Sequence, residues 1–116
     1  MEKEDYHGKL KSKIDTYVHL VYRISRGFPK EELYGITSQL RRASLSIALN
    51  YVEGYARMRN KVHKNFLEIS YGSLKESQYL LQFSLDEKYL SAAQFKEATD
   101  LANEVGAMLW GIMRRL

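Results

Sequence analysis

The chain contains no cysteine and a single proline, Pro29, in 116 residues. The missing thiols exclude disulfides, thiolate zinc sites and cysteine nucleophiles, and they fit a reducing compartment. One proline and seven glycines leave little turn chemistry for a loop-rich or all-β fold. No run approaches the roughly 18 apolar residues of a membrane span. The opening Met-Glu-Lys-Glu-Asp-Tyr-His is charged and lacks the apolar stretch of a signal peptide. These absences predict a soluble, cytoplasmic protein with no membrane partner.

What is present is ordinary for a globular domain: 45% of residues are apolar and 28% charged. The length predicts one domain over residues 1–116, burying roughly two-thirds of the surface its unfolded chain exposes. Charge is unevenly spread. Residues 1–64 hold 13 Lys/Arg against 7 Asp/Glu, while residues 65–116 hold 5 against 7. That imbalance points to a polyanion partner, although solvated lysines alone also produce it.

Helical periodicity accounts for nearly the whole chain. Leu10, Ile14, Tyr17, Val21, Ile24 and Phe28 give helix 1, from about Tyr6 to Arg26, a bundle seam. Gly27 suits the C′ position and Pro29 stops the helix. Helix 2 is expected from about Thr37 to Tyr55, with Gly35 and Thr37 marking either a break or a weak joint before it. Helix 3 spans about Lys61 to Leu85, with Asn60 as N-cap. Its seam is Leu67, Tyr71, Leu74, Gln78, Leu81 and Leu85, widened by Phe66, Ile69, Leu80 and Phe83. Gly72-Ser73 in mid-helix predicts a close helix crossing. Ser91-Ala92-Ala93-Gln94 reads as a capping box. Helix 4 then carries Phe95, Ala98, Ala102, Val105, Leu109, Ile112 and Leu116. Four such helices joined by short turns predict an all-α, antiparallel up-down-up-down four-helix bundle.

Helix 2 carries two apolar stripes where one would satisfy a monomer. Ile36, Leu40, Ala43, Ile47, Asn50 and Gly54 form the first; Leu45, Leu49 and Val52 form the second. The second stripe, with Arg41 at its rim, is the expected oligomer interface, most simply with another copy of the chain. Asn50 on the first stripe is expected to be a structural amide, since leaving it unpaired would cost about 1–3 kcal/mol. Arg42 and Glu53 share a side of the helix three turns apart. They are expected to make inter-helix or inter-subunit ion pairs rather than to catalyse.

The stretch around helix 2 also carries a family resemblance. Phe28-Pro29-Lys30-Glu31-Glu32, Gly35 to Ala43, Ser46-Ile47 and Asn50-Tyr51-Val52-Glu53-Gly54 resemble the bacterial four helix bundle protein family, also known as the 23S ribosomal RNA intervening-sequence proteins. Gly72-Ser73-Leu74-Lys75-Glu76 is similar to that family's pattern as well. The resemblance implies an antiparallel four-helix bundle, a ring of five copies and a role in binding RNA. Members are encoded within insertions in large-subunit ribosomal RNA genes or stand alone. Related bundles serve as accessory factors to reverse transcriptases, which makes a protein-binding adaptor the alternative function. The chain departs from the family in having Ala48 where a proline commonly follows Ser-Ile, while Gly54 is expected to mark the end of helix 2.

Arg57, Arg59, Lys61, His63 and Lys64 place five donors within eight residues and no acid among them. With Tyr55 and Phe66 at its flanks, this basic turn is the expected RNA-binding site, holding phosphates by charge and stacking unpaired bases. The bland alternative is a solvated interhelical turn. Enzyme patterns are missing. The only Glu-x-x-His, Glu4-Asp5-Tyr6-His7, sits at an expected frayed end and has no second copy to make a di-iron site. No phosphate loop or nucleophile elbow occurs. Arg57 and His63 have the spacing of a ribonuclease motif in another helical family, but between helices 2 and 3. The expectation is a non-enzymatic protein with no cofactor, metal or small-molecule substrate, whose partners are itself and RNA.

Overall fold

The computed structural model describes residues 3–57 and 60–116. Its helices are α1 (Lys3–Ser25), α2 (Ile36–Ala56), α3 (Asn60–Asp86) and α4 (Ala92–Met113), with a 3-10 turn at Lys30–Glu32 before α2. The all-α class is as expected. Each helix packs on two neighbours, in the order α1–α2–α3–α4 and back to α1. Side-chain contacts fix the directions. His7 meets Tyr51 and Arg41 meets Ser25; Ser46 meets Ser73 and Gly54 approaches Phe66; Gln78 meets Asn103 and Tyr71 meets Trp110; Tyr6 meets the Met108 carbonyl and Lys13 meets Glu104. Every neighbouring pair therefore runs antiparallel.

The α1 seam is buried throughout, as is most of the α4 seam, and Leu40, Ala43 and Ile47 of α2 point into the same core. α3 departs from its expected pattern. Leu67, Leu74, Leu80 and Leu81 are buried, but Ile69 and Phe83 are exposed. Ser70, Ser77 and Ser84 occupy the buried positions instead. α2 and α3 make the most extensive contact in the fold, and small side chains let them approach. Each of these three serine hydroxyls has a partner. Ser70 donates to the Ile47 carbonyl at 2.8 Å, and Ser77 and Ser84 donate back to Leu74 and Leu80 at 2.7 Å. The Tyr17 hydroxyl crosses the core from α1 to Ser77 at 2.8 Å. Burial pushes its pKa up to about 12, partly countered by that hydrogen bond.

Several local expectations need correction. Gly54 does not end α2, which continues unbroken past Ala48 to Ala56. A Cβ at Gly54 would lie 2.9 Å from the Phe66 Cβ, so this glycine serves close helix packing. Gly72 does not; nothing lies within 4 Å of its missing Cβ, and the crossing is made by Ser73. Asn60 already belongs to α3 and is not its N-cap. Gly27 adopts no left-handed conformation. α1 instead closes through i→i+3 bonds, Gly27 N to Ile24 O and Phe28 N to Ser25 O, both 3.1 Å.

The joint before α2 is a true break. Glu32 bridges it, accepting from the Ile36 N–H at 3.4 Å and from the Tyr89 hydroxyl at 2.8 Å. The carboxylate bond pushes the Tyr89 pKa up to about 12. The capping box forms as expected: Gln94 N donates to Ser91 Oγ at 3.1 Å, and Ser91 N donates to Gln94 Oε1 at 2.9 Å.

α3 ends in a Schellman turn. Tyr89 N donates to Ser84 O at 2.8 Å and Lys88 N to Leu85 O at 2.9 Å. Lys88 sits at the left-handed position with φ 65°, where a Cβ costs about 1 kcal/mol. Lys88→Gly should therefore raise stability by roughly 0.5–1 kcal/mol despite glycine's greater freedom in the unfolded chain. Urea denaturation would show an unchanged or lower midpoint if that strain is absent.

Candidate nucleic-acid interface

The turn between α2 and α3 lies where the C-terminal end of α2, the N-terminal ends of α1 and α3, and the last turns of α4 meet. Aromatic side chains knit this end together. The Tyr6 hydroxyl donates to the Met108 carbonyl at 2.9 Å, so Tyr6 and His7 are anchored rather than frayed. His7 Nδ1 lies 2.9 Å from the Tyr51 hydroxyl, and its ring packs against Tyr55 at 4.6 Å. Tyr55 in turn meets the His63 ring edge-on at 6.4 Å. Burial, then the neighbouring Tyr55 and Tyr6, push the Tyr51 pKa well up. A phenol kept protonated in this way can donate its O–H to His7 Nδ1.

Upon this end sits the basic turn. Lys61 and Lys64 lie on the first turns of α3, both exposed, and neither makes an ion pair among the described residues. Arg57 is exposed at the end of α2, but its guanidinium is paired with Glu53 one turn back and lies 5.8 Å over the Phe66 ring. His63 is half-buried against Tyr55. Arg59 lies outside the described residues. The structure thus brings Arg57, Lys61, His63 and Lys64 to one end of the bundle and leaves the two lysines readiest for a polyanion.

The other expected residues fall elsewhere. Leu45, Leu49 and Val52 point outward, 38%, 66% and 48% exposed. On α3, Ile69, Tyr79 and Phe83 also project outward. Gly72 shares their stripe by helical spacing. Arg41 is half-buried and serves the chain's own packing: it donates to Ser25 Oγ at 2.8 Å and to the Tyr22 carbonyl at 3.4 Å, and stacks 4.8 Å over the Tyr22 ring. It thereby caps the C-terminal end of α1, where a cation is favoured. Asn50 donates to the Ser46 carbonyl and hydroxyl, both at 2.9 Å, and Ser46 reaches Ser73 at 2.7 Å. This polar relay spans the α2–α3 seam. Arg42 is exposed, and Glu53 pairs with Arg57 within α2 rather than across helices.

Sequence reasoning missed His7, Lys11 and Tyr51 as members of this end. Their signal was a histidine and a lysine four residues apart on α1 and a tyrosine on α2, which only tertiary packing joins. Among the described residues no cluster of His, Asp and Glu could hold a metal ion, and no helix is long and apolar enough to cross a membrane.

Residues 9–111 match the protein family described as 23S rRNA-intervening sequence protein. Among solved structures, the chain is similar to a protein with unknown function from the S23 ribosomal protein family of Bacteroides thetaiotaomicron VPI-5482. The TM-score is 0.83 at 18% sequence identity, covering 90% of this chain and 97% of that one. At that identity the likeness is one of fold. No curated protein matches the chain.

Proposed function

Because the chain belongs to the 23S rRNA-intervening sequence protein family, we propose that it is a non-enzymatic, self-associating bundle that presents its basic end to RNA in the cytoplasm. The observation that carries this reading is the pair Lys61 and Lys64. Both are exposed and make no ion pair among the described residues, on the helix whose His63 meets the half-exposed ring of Tyr55. Cations without internal partners and an open aromatic face are what a single-stranded polyanion requires.

Self-association rests on the outward faces of α2 and α3. Leu45, Leu49 and Val52 form an apolar stripe with no cover inside the chain, and Ile69, Tyr79 and Phe83 continue the apolar surface on α3. Gly72 gives up helix propensity with no packing reason inside the chain. A second copy approaching α3 closely supplies that reason, and the family resemblance favours a ring of five. A ring would set several basic turns on one RNA at high effective concentration.

Changing Arg57, Arg59, Lys61 and Lys64 together to Ser should abolish RNA retention at moderate salt without altering oligomeric mass. Taken singly, each lysine removed should lower the salt slope of binding by about 0.7–0.9. Arg57, already paired with Glu53, should contribute less. Unchanged binding by the quadruple variant would move the site to Lys9, Lys13 and Arg26. No RNA binding by the wild type, even at low salt, would leave the apolar stripes as the docking face of a protein-binding adaptor.

A further inference from the structure

Beside the basic turn, α1 and α2 leave a pocket of about 280 Å3, lined by His7, Gly8, Lys11, Tyr51, Val52 and Tyr55, with Val52 the edge it shares with the outward stripe of α2. Small-molecule sites begin near 300 Å3, so this one has room for a single flat ring. Tyr55 is 47% exposed, yet its ring is fixed from three helices. His7 packs at 4.6 Å, Tyr51 stacks at 6.3 Å with an interplanar angle of 28°, and His63 meets it edge-on. Lys11 lines the same pocket; its ammonium gives one N–H to Asp15 at 2.7 Å, and the other two make no hydrogen bond among the described residues. Gly8 lies within α1, where glycine weakens a helix. Among the described residues no atom lies within 4 Å of its missing Cβ, so their packing does not require it, and its effect is to keep the pocket wall low.

We propose that this pocket takes one unpaired nucleobase of a bound single-stranded RNA, stacked on Tyr55, with Lys11 donating to the base edge. The inference rests on the RNA-binding reading above and locates where a base, as opposed to a phosphate, is held. Phe66, the other aromatic flanking the basic turn, is less suited. Its ring already carries the Arg57 guanidinium, and its Cβ lies against Gly54. Tyr55 is half-exposed, held from three helices, and has cations on the helices that hold it: Lys11 on α1, and Lys61 and Lys64 on the helix that carries His63. Stacking on such a ring does not depend on which base is offered, so the site should select single strands over duplexes without reading sequence.

The test compares a single-stranded oligouridine with an abasic strand of the same length and charge, at one salt concentration. The wild type should bind the base-bearing strand at least about tenfold more tightly, the scale of one aromatic stack. Tyr55→Leu should erase that preference while leaving the affinity for the abasic strand, the salt slope and the oligomeric mass unchanged. Gly8→Leu, which blocks the mouth while improving helix propensity, should do the same. Equal wild-type binding of the two strands would overturn the pocket assignment and leave RNA binding standing. Binding of neither strand at low salt would overturn RNA binding and the pocket with it. A change of oligomeric mass in either variant would show that another copy covers the pocket, which also overturns the assignment.

Discussion

Ile47→Asp should abolish folding or come close to it, whereas Leu49→Glu, two residues away, should leave helical circular dichroism nearly unchanged. Ile47 is fully buried in the core, and Leu49 is mostly exposed. A carboxylate at Ile47 must either ionise without a partner in an apolar setting or fold only when protonated, at a cost of several kcal/mol. A domain of this size has about 5–15 kcal/mol of stability in total. Leu49→Glu meets solvent, and such surface changes stay within about 0.5 kcal/mol. Its effect should appear in light scattering instead, as a fall toward the 13.6 kDa of one chain. Leu45→Glu should behave like Leu49→Glu. If all three variants lose helicity alike, the outward stripe is part of the fold's own core and the proposed self-association loses its basis. If Leu49→Glu keeps the wild-type mass, the interface lies elsewhere.

Gly54→Ala and Gly72→Ala should move stability in opposite directions, separated by about 2 kcal/mol. Both glycines lie inside helices, where propensity alone predicts a gain of about 0.8–1 kcal/mol for either change. Gly72 has open space around its missing Cβ and should realise that gain. At Gly54 the new methyl would stand 2.9 Å from the Phe66 Cβ and 3.3 Å from the His63 carbonyl oxygen. Neither atom is the end of a flexible side chain, so the helices themselves must part, and overpacking of that kind costs about 1–3 kcal/mol. Equal stabilisation by both changes, measured by urea denaturation, would show that the helices part freely at this point. Because Gly72 lies on the outward stripe of α3, its variant should also associate more weakly even as its fold gains stability.

The fold was largely legible because its helices follow a strict apolar repeat. Leu10, Ile14, Tyr17, Val21 and Ile24 at 4-3 spacing leave α1 only one way to face a core. Periodicity failed on α3, where the buried side includes Ser70, Ser77 and Ser84. A serine whose hydroxyl finds a carbonyl, on its own helix for Ser77 and Ser84 and on α2 for Ser70, buries little unsatisfied polarity and occupies little space. Hydropathy counts it as polar while a tight helix pair treats it as small. The same blindness made Gly72 look like the crossing point and Gly54 like a helix end, since a glycine's role depends on what lies across from it. The basic turn was legible because its charges fall within eight residues of sequence. The base pocket was not, since His7 and Tyr51 stand 44 positions apart in the chain and meet only because α1 and α2 run antiparallel.

The narrow seam between α2 and α3 has a mechanical consequence. Two helices locked by Ser46–Ser73, Ser70–Ile47 and the Gly54 contact behave as one stiff beam, and the basic turn is the beam's tip. Leu49 lies eight residues from Arg57, about 12 Å along the helix. A partner seated on the outward stripe therefore sets the position of the turn without touching it. In a symmetric assembly built on that stripe, the tips would stand at one repeated spacing, and that spacing would act as a ruler for the length of strand reaching from one tip to the next.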